Sequence, residues 1–231
     1  MTRKLYATVA LTFVALSMIV SQTSANLIGF DFGSNFFKIT LVQPGKGFEI
    51  VENETSLRKT ETQLTITPET RLFAKDSFNG NSRYPKSTFL DLASFLGMDY
   101  DAEKLEHLRL NEFVLNDFAE DERGLVAWQS FSIDKKKGDD EDKTVIYYTE
   151  ELLAMIFKFG RDLSERKAEG LVKEAVVTVP SYFTQEQRLM LIDAAEMAGL
   201  NVNQLVHENT AAATMYAVDH RVQGKGEQLE D

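Results

Sequence analysis

Two periodicities alternate along residues 174–218, and that alternation restricts the fold more than any other feature of the chain. Residues 174–179 read as a buried strand, apolar from Ala175 to Val179 apart from Thr178 and ended by Pro180. Thr184 and Gln187 then have the spacing of a capping box, at the head of a helix that closes at Gly199. Residues 201–206 form the next strand and residues 208–218 the next helix. A strand, helix, strand, helix order needs crossover connections, which make the strands parallel and place helices over the sheet. The fold class is therefore α/β.

The first half of the chain supplies partners for that sheet. Residues 26–32 and 36–42 are apolar runs of strand length separated by Gly33, Ser34 and Asn35, and residues 47–51 add a third strand after the Pro44-Gly45 turn. Tight turns between three such strands imply a meander. Residues 64–67 and 72–74 are shorter strands. Residues 87–96 place Phe89, Leu92, Ala93, Phe95 and Leu96 at helical spacing with Gly97 as the stop, and residues 101–110 suggest another short helix. Strands at 113–118, 125–129 and 145–148 surround a polar run at 134–143. Thr149 is placed to cap a helix with Glu150 and Glu151 in its first turn and an apolar stripe of Leu152, Leu153, Ile156, Phe157 and Leu163.

The first 25 residues are set apart from the fold. Arg3 and Lys4 precede a nearly uniform apolar stretch at 5–20, and Thr23 and Ala25 are small residues where a signal peptidase reads. This is the pattern of a secretory signal peptide at 1–25, cut after Ala25. The alternative, an uncleaved anchor, would need about 20 apolar residues to cross the hydrocarbon. No later stretch is long and apolar enough to span a bilayer, so no membrane partner is expected once the signal is removed. The chain has no cysteine, which excludes disulfides, thiolate zinc sites and Cys nucleophiles and leaves packing to stabilise it in an oxidising compartment.

Charge removes another class of partner. With 231 residues and a net charge of -11, the surface is acidic, and its one dense basic cluster, Lys135, Lys136 and Lys137, is followed at once by acids. Nucleic-acid binding draws on clustered Lys and Arg, so nucleic acid is not an expected ligand. The acidic run Asp139, Asp140, Glu141 and Asp142 lacks the alternating ligands of a calcium loop and reads as a solvated segment. His107, His207 and His220 share no metal-ligand spacing. Asn53-Glu54-Thr55 is a glycosylation sequon, which makes Asn53 a candidate acceptor in a secreted chain.

The segment Gly29-Phe30-Asp31-Phe32-Gly33-Ser34 carries chemistry of another kind. An Asp at the end of a strand, followed by a Gly turn and a hydroxyl residue, sets a carboxylate beside free backbone N–H groups. Such a turn suits a phosphate with its magnesium, with Asp31 holding the metal directly or through water. The same pattern is also common in plain hairpins.

The run VTVPSYFTQEQRLMLIDAAEMAGLNVNQLVHENTAAATMYAVD at 177–219, together with IGFDFGS at 28–34 and LRKTETQLTI at 57–66, strongly resembles the nucleotide-binding domain of the seventy-kilodalton heat-shock chaperone family. The resemblance covers nearly the whole chain after residue 25. Two departures, Asn209 where mainstream members carry Pro before the Thr-Ala pair and the preceding signal peptide, fit the family's large endoplasmic-reticulum branch. It implies an actin-like ATPase (ribonuclease H-like) fold, of which this sequence holds the first lobe. The core subdomain would take residues 26–59 and 147–221, with an outer subdomain at about 60–146 and the start of a connection to the second lobe at 222–231. The sequence stops before the second lobe's Asp-Gly-Gly-Gly loop, so it reads as a fragment of a longer protein.

The resemblance also implies a site. Asp31 aligns with the family's magnesium-water aspartate, Gly33 with its phosphate-loop glycine, and Glu208 with its second carboxylate around magnesium. Gly29 lies in the same motif, while Ser34 and Asn35 replace two threonines of the loop. Pro180 and Arg188 match residues that relay nucleotide state to the substrate-binding domain. The family's catalytic lysine falls on Ala93, which implies slow or absent hydrolysis, because losing one preorganised contact of this type costs about 10²–10³ in rate. The implied cofactors are ATP or ADP with Mg2+, and the implied partners are unfolded client proteins. Residence in the endoplasmic reticulum lumen is implied by the branch. Two functions are compatible with this: a chaperone ATPase, or a holdase and nucleotide-exchange partner of the main lumenal heat-shock chaperone.

Overall fold

The computed structural model describes residues 26–111, 114–131 and 144–223. The expected signal peptide at 1–25, all of the polar run at 134–143 with its acidic cluster, and most of the expected connection at 222–231 lie outside the described residues.

Six strands form the central sheet. β1 (Asn26–Phe32), β2 (Phe36–Val42) and β3 (Phe48–Val51) are an antiparallel meander, as the turn residues predict. The short β4 (Thr60–Glu61) pairs with the start of β2. Three smaller strands, β5 (Gln63–Ile66), β6 (Arg71–Phe73) and β7 (Thr88–Leu90), make a second sheet that carries helix α1 (Ala74–Gly80). Helices α2 (Leu92–Phe95) and α3 (Ala102–Asn111) lead to a third sheet of β8 (Asp117–Glu120), β9 (Val126–Phe131) and β10 (Thr144–Tyr148). The chain then returns through α4 (Thr149–Ala168), β11 (Val172–Val179), α5 (Gln185–Met197), β12 (Asn201–His207) and α6 (Glu208–Gln223). β11 runs parallel to β1 and β12 parallel to β11, giving the order β12-β11-β1-β2-β3. The parallel arrangement inferred from the crossover pattern is the one observed.

The sheet is packed on one side. Ile28, Phe30 and Phe32 from β1, Phe37, Ile39 and Leu41 from β2, and Ala175, Val177 and Val179 from β11 all point to the face covered by helices, and each is almost fully buried. Against them α4 sets its stripe of Leu152, Leu153, Ile156, Phe157 and Leu163. The Phe157 ring meets Phe30 edge-on at 4.9 Å between centroids, and Phe30 stacks on Phe37 at 5.0 Å. Gly160 permits this approach: a Cβ there would lie 2.5 Å from the Phe30 ring, inside van der Waals contact. The same core continues between the second and third sheets, where Trp128 packs against Phe89, Phe95 and Phe118.

Two local expectations are corrected. Residues 87–96 are not one helix: Pro85–Ser87 is a 3-10 turn, Thr88–Leu90 is strand β7, and only Leu92–Phe95 is helical. The Thr88 hydroxyl meets that of Thr65 on the neighbouring strand at 2.8 Å, and Phe89 sits opposite Leu64, so pairing with β5 overrides a spacing that also fits a helix. Nor does Thr149 cap α4. Its hydroxyl accepts from Trp128 Nε1 at 3.0 Å and donates to the Val126 carbonyl, while Glu151 reaches back to the Tyr148 N–H at 2.9 Å. The box at Thr184 and Gln187 forms as expected, with both reciprocal bonds present.

Candidate functional site

The face of the central sheet turned away from α4 and α5 is an open groove of about 440 Å³. Strand alternation decides its lining, because residues two apart share a face. Gly29 and Asp31, with Phe30 between them, come from β1, Lys38 and Thr40 from β2, Ile50 from β3, Val176 and Thr178 from β11 and Val206 from β12, with Arg58 and Ala211 at the margins. In open α/β sheets ligands bind beyond the carboxyl ends of the parallel strands. Asp31, Thr178 and Glu208 all stand at that end, on β1, on β11 and at the first residue of α6 after β12.

Asp31 is held from both sides. The antiparallel register sets Lys38 directly opposite it, and Lys38 Nζ lies 2.5 Å from Asp31 Oδ2. Thr178 donates its hydroxyl to Asp31 Oδ1 at 3.1 Å and accepts the Phe32 N–H at 2.9 Å, which ties β1 to β11 at their ends. The carboxylate is therefore oriented at the rim of the groove, where it remains half-buried.

The turn after β1 is fixed by Thr62. Its hydroxyl donates to the Gly33 carbonyl at 2.8 Å, and its N–H donates to the Asn35 carbonyl at 3.0 Å. At Gly33 an added Cβ would lie 2.7 Å from the Phe36 carbonyl oxygen, so the tight turn requires glycine. Gly29 differs, since a Cβ there would meet nothing closer than 4.0 Å. Its missing side chain leaves the groove floor flat. Ser34 and Asn35 are exposed at the turn.

Elsewhere the sequence candidates fall in distinct places. Pro180 ends β11 and is buried, and its carbonyl accepts the Phe183 N–H at 3.3 Å. Arg188 on α5 donates from Nε to the Phe183 carbonyl at 3.1 Å, and its Nη2 is 3.1 Å from His207 Nε2. Pro180, Phe183, Arg188 and His207 thus connect the ends of β11 and β12, the latter adjoining Glu208. Ala93 is buried in α2 and is not among the residues lining the groove. Asn53 is buried too. Its Oδ1 accepts the N–H groups of Thr55 and Leu57 and the Thr55 hydroxyl, while its Nδ2 donates to the Lys59 carbonyl at 3.0 Å. The side chain organises its own loop, and the nitrogen that would carry a glycan is engaged inside it.

Motif reading had not found Lys38, Arg58, Thr178 or Thr62. Lys38 was within reach, because a hairpin turning over Gly33, Ser34 and Asn35 sets it across from Asp31. The others meet the site only through tertiary pairing. Among the described residues no three acidic or histidine side chains converge as a metal cage. Magnesium is usually held by one or two carboxylates with water and phosphate oxygens; of the two candidate carboxylates, Asp31 lines the groove and Glu208 is not among its lining residues.

A three-strand meander extended by two parallel strands, with a carboxylate and a glycine turn at their carboxyl ends, defines a lobe of the actin-like ATPase fold. Residues 27–227 match the family described as Hsp70 protein, and the chain belongs to that family. Its relatives include proteins named Hypoxia up-regulated protein 1 from several vertebrates. That of Danio rerio is 33% identical over 213 residues, which are 92% of this chain and 21% of the relative. The Xenopus laevis protein is 35% identical over 200 residues, 86% of this chain and 29% of the relative. The Homo sapiens protein is 34% identical over 221 residues, 95% of this chain and 21% of the relative. The chain thus spans between about a fifth and three tenths of the length of these curated relatives.

Proposed function

We propose that this chain provides the first nucleotide-binding lobe of an ATP-binding chaperone of the endoplasmic reticulum lumen, which it enters by the signal peptide at 1–25 and where it acts on unfolded client proteins. The observation that carries this reading is the groove itself, with Asp31 oriented by Thr178 beside a turn that admits only glycine at Gly33. Gly29 in the groove and Gly33, Ser34 and Asn35 of the turn that follows β1 would face the phosphates of ATP or ADP, and Asp31 together with Glu208 at the start of α6 would hold Mg2+ through water. The metal supplies charge neutralisation at the phosphate oxygens when bound. The chain's own residues orient the phosphates and hold the Asp31 side chain fixed at the rim. Pro180 and Arg188 would pass the state of the groove to a client-binding region, since Arg188 reaches both the turn after Pro180 and the strand end before Glu208.

One observation favours a second emphasis. Ala93, at the position of the family's catalytic lysine, is an uncharged side chain buried in the core. This supports binding with little or no hydrolysis, and hence a holdase that also serves as nucleotide-exchange partner of the main lumenal heat-shock chaperone. A glycan at Asn53 is not part of the reading, given the burial of its amide.

Titrating this chain with MgATP while observing backbone amides by NMR tests the proposal. Shifts should cluster at Asp31, Gly33, Ser34 and Glu208, with an affinity no tighter than roughly millimolar, or about -4 kcal/mol, because much of the ligand stays in water on a single lobe. Shifts clustered away from the groove would sink the nucleotide reading.

A further inference from the structure

The groove does not share the charge of the molecule around it. The chain carries a net charge of -11, yet the ionisable side chains lining the groove are Lys38, Arg58 and Asp31, two cations against one anion. Lys38 is not there by the chance wandering of a surface lysine. Strand register holds its backbone opposite Asp31, alternation turns its side chain to the open face, and its Nζ stands 2.5 Å from Asp31 Oδ2. Thr178 donates to the other oxygen of the same carboxylate. A carboxylate engaged at both oxygens has reduced capacity for a divalent ion, while the ammonium beside it can turn its remaining donors toward an anion in the groove.

We propose that Lys38 is the resident cation of this groove and, with Arg58 at the groove margin, binds the phosphate end of a polyphosphate ligand, so that polyphosphate binding depends only weakly on magnesium. The inference rests on the nucleotide reading above and deepens it. The lysine stem is long enough for Nζ to bridge Asp31 and a phosphate oxygen together, and removing the ammonium would leave a lone Asp31 carboxylate repelling the ligand. Magnesium would then become necessary to bring the two together.

Inorganic triphosphate is the probe, titrated into this chain by calorimetry and by NMR of the Gly33 amide and the Lys38 ammonium, in EDTA and in magnesium. The wild-type chain should bind with affinities within about threefold of each other in the two media, and Lys38→Met should lose about tenfold or more in EDTA, as expected for one charge-assisted contact. Magnesium should restore much of that loss, Lys38→Arg should bind within about threefold of wild type in EDTA, and Lys46→Met, a change in the exposed turn outside the groove, should have no effect. Lys38 is exposed, so the Met variant should fold as the wild type does. If wild-type binding collapses on chelation of magnesium, or if Lys38→Met equals wild type in EDTA, the role given to Lys38 is wrong and the nucleotide reading stands. If triphosphate binds in neither medium, the nucleotide reading fails and takes this proposal with it.

Discussion

The two faces of the central sheet are made by the same strands and have opposite characters. On the face under α4, Ile28, Phe30, Phe32, Phe37, Ile39 and Leu41 are each at most 2% exposed. On the other, the residues between them in sequence are Gly29, Asp31, Lys38 and Thr40, which line an open groove. Stability and chemistry are thereby separated at every second residue. The lesson is that a change of one position along β1 or β2 moves a substitution from the fold to the ligand.

The sharpest way to break this comparison is to damage the covered face. Phe30→Ala should lower the unfolding free energy by about 3–5 kcal/mol, the range for emptying a fully packed aromatic site. Urea denaturation followed by tryptophan fluorescence measures it. A loss below about 1 kcal/mol would mean that α4 closes over the gap and that the covered face is softer than its packing indicates.

Polar residues outside the groove should side with the fold. Arg123 pairs with Asp121 at 2.7 Å and with Glu150 at 2.7 Å, joining the turn before β9 to the start of α4. The Asp121 side chain is fully buried, but Arg123 is 42% exposed, so the loss from Arg123→Ala is discounted for solvent to about 1–3 kcal/mol. Burial alone would raise the Asp121 pKa. The N–H groups of Leu125 and Arg123 and the Arg123 guanidinium outweigh that and hold it below its ordinary value of 3.8. Because the folded-state value is the lower one, the stabilisation is complete above 3.8 and is lost as pH falls through the folded value. Asp121→Asn should therefore flatten the acid limb of a stability-versus-pH curve. An unchanged limb would assign acid sensitivity to other carboxylates.

Thr178 lies on the boundary between the two roles, since it bonds both a backbone N–H and Asp31. Thr178→Val should cost about 1 kcal/mol in denaturation, the usual worth of such a bond, and also weaken phosphate binding. A stability loss with no binding change would place Thr178 wholly with the fold.

The smallest stability effect should come from the groove's own carboxylate. The Lys38–Asp31 pair is 47% and 43% exposed, and pairs of that kind contribute about 0–1 kcal/mol. Asp31→Asn should leave denaturation nearly unmoved while removing the small part of nucleotide binding that depends on magnesium. If unfolding shifts as far as in Phe30→Ala, the division between the faces is false.

Much of this architecture was readable in the chain. Asn26–Phe32, Phe36–Val42, Val172–Val179 and Asn201–His207 were recognisable because long strands carry enough apolar residues to declare themselves, and the Thr184–Gln187 box marked a helix start by local chemistry. Short elements were less legible. In Thr88–Leu90 three residues cannot establish a period, and only pairing with Gln63–Ile66 chose strand over helix. The Thr149 hydroxyl was misread as a cap because Trp128, distant in sequence, competes for it.

The sequence by itself determined the α/β class, the parallel crossover and the carboxylate at the glycine turn, because periodicity, capping and turn chemistry act over a few neighbouring residues. Only the tertiary structure decided that Lys38 and Thr178 clasp Asp31, that Arg188 meets His207, that Ala93 is buried in the core and that Asn53 is locked in its own loop. Those facts depend on register, on which face a helix covers and on contacts between segments as many as 147 residues apart, and no local pattern encodes such distances.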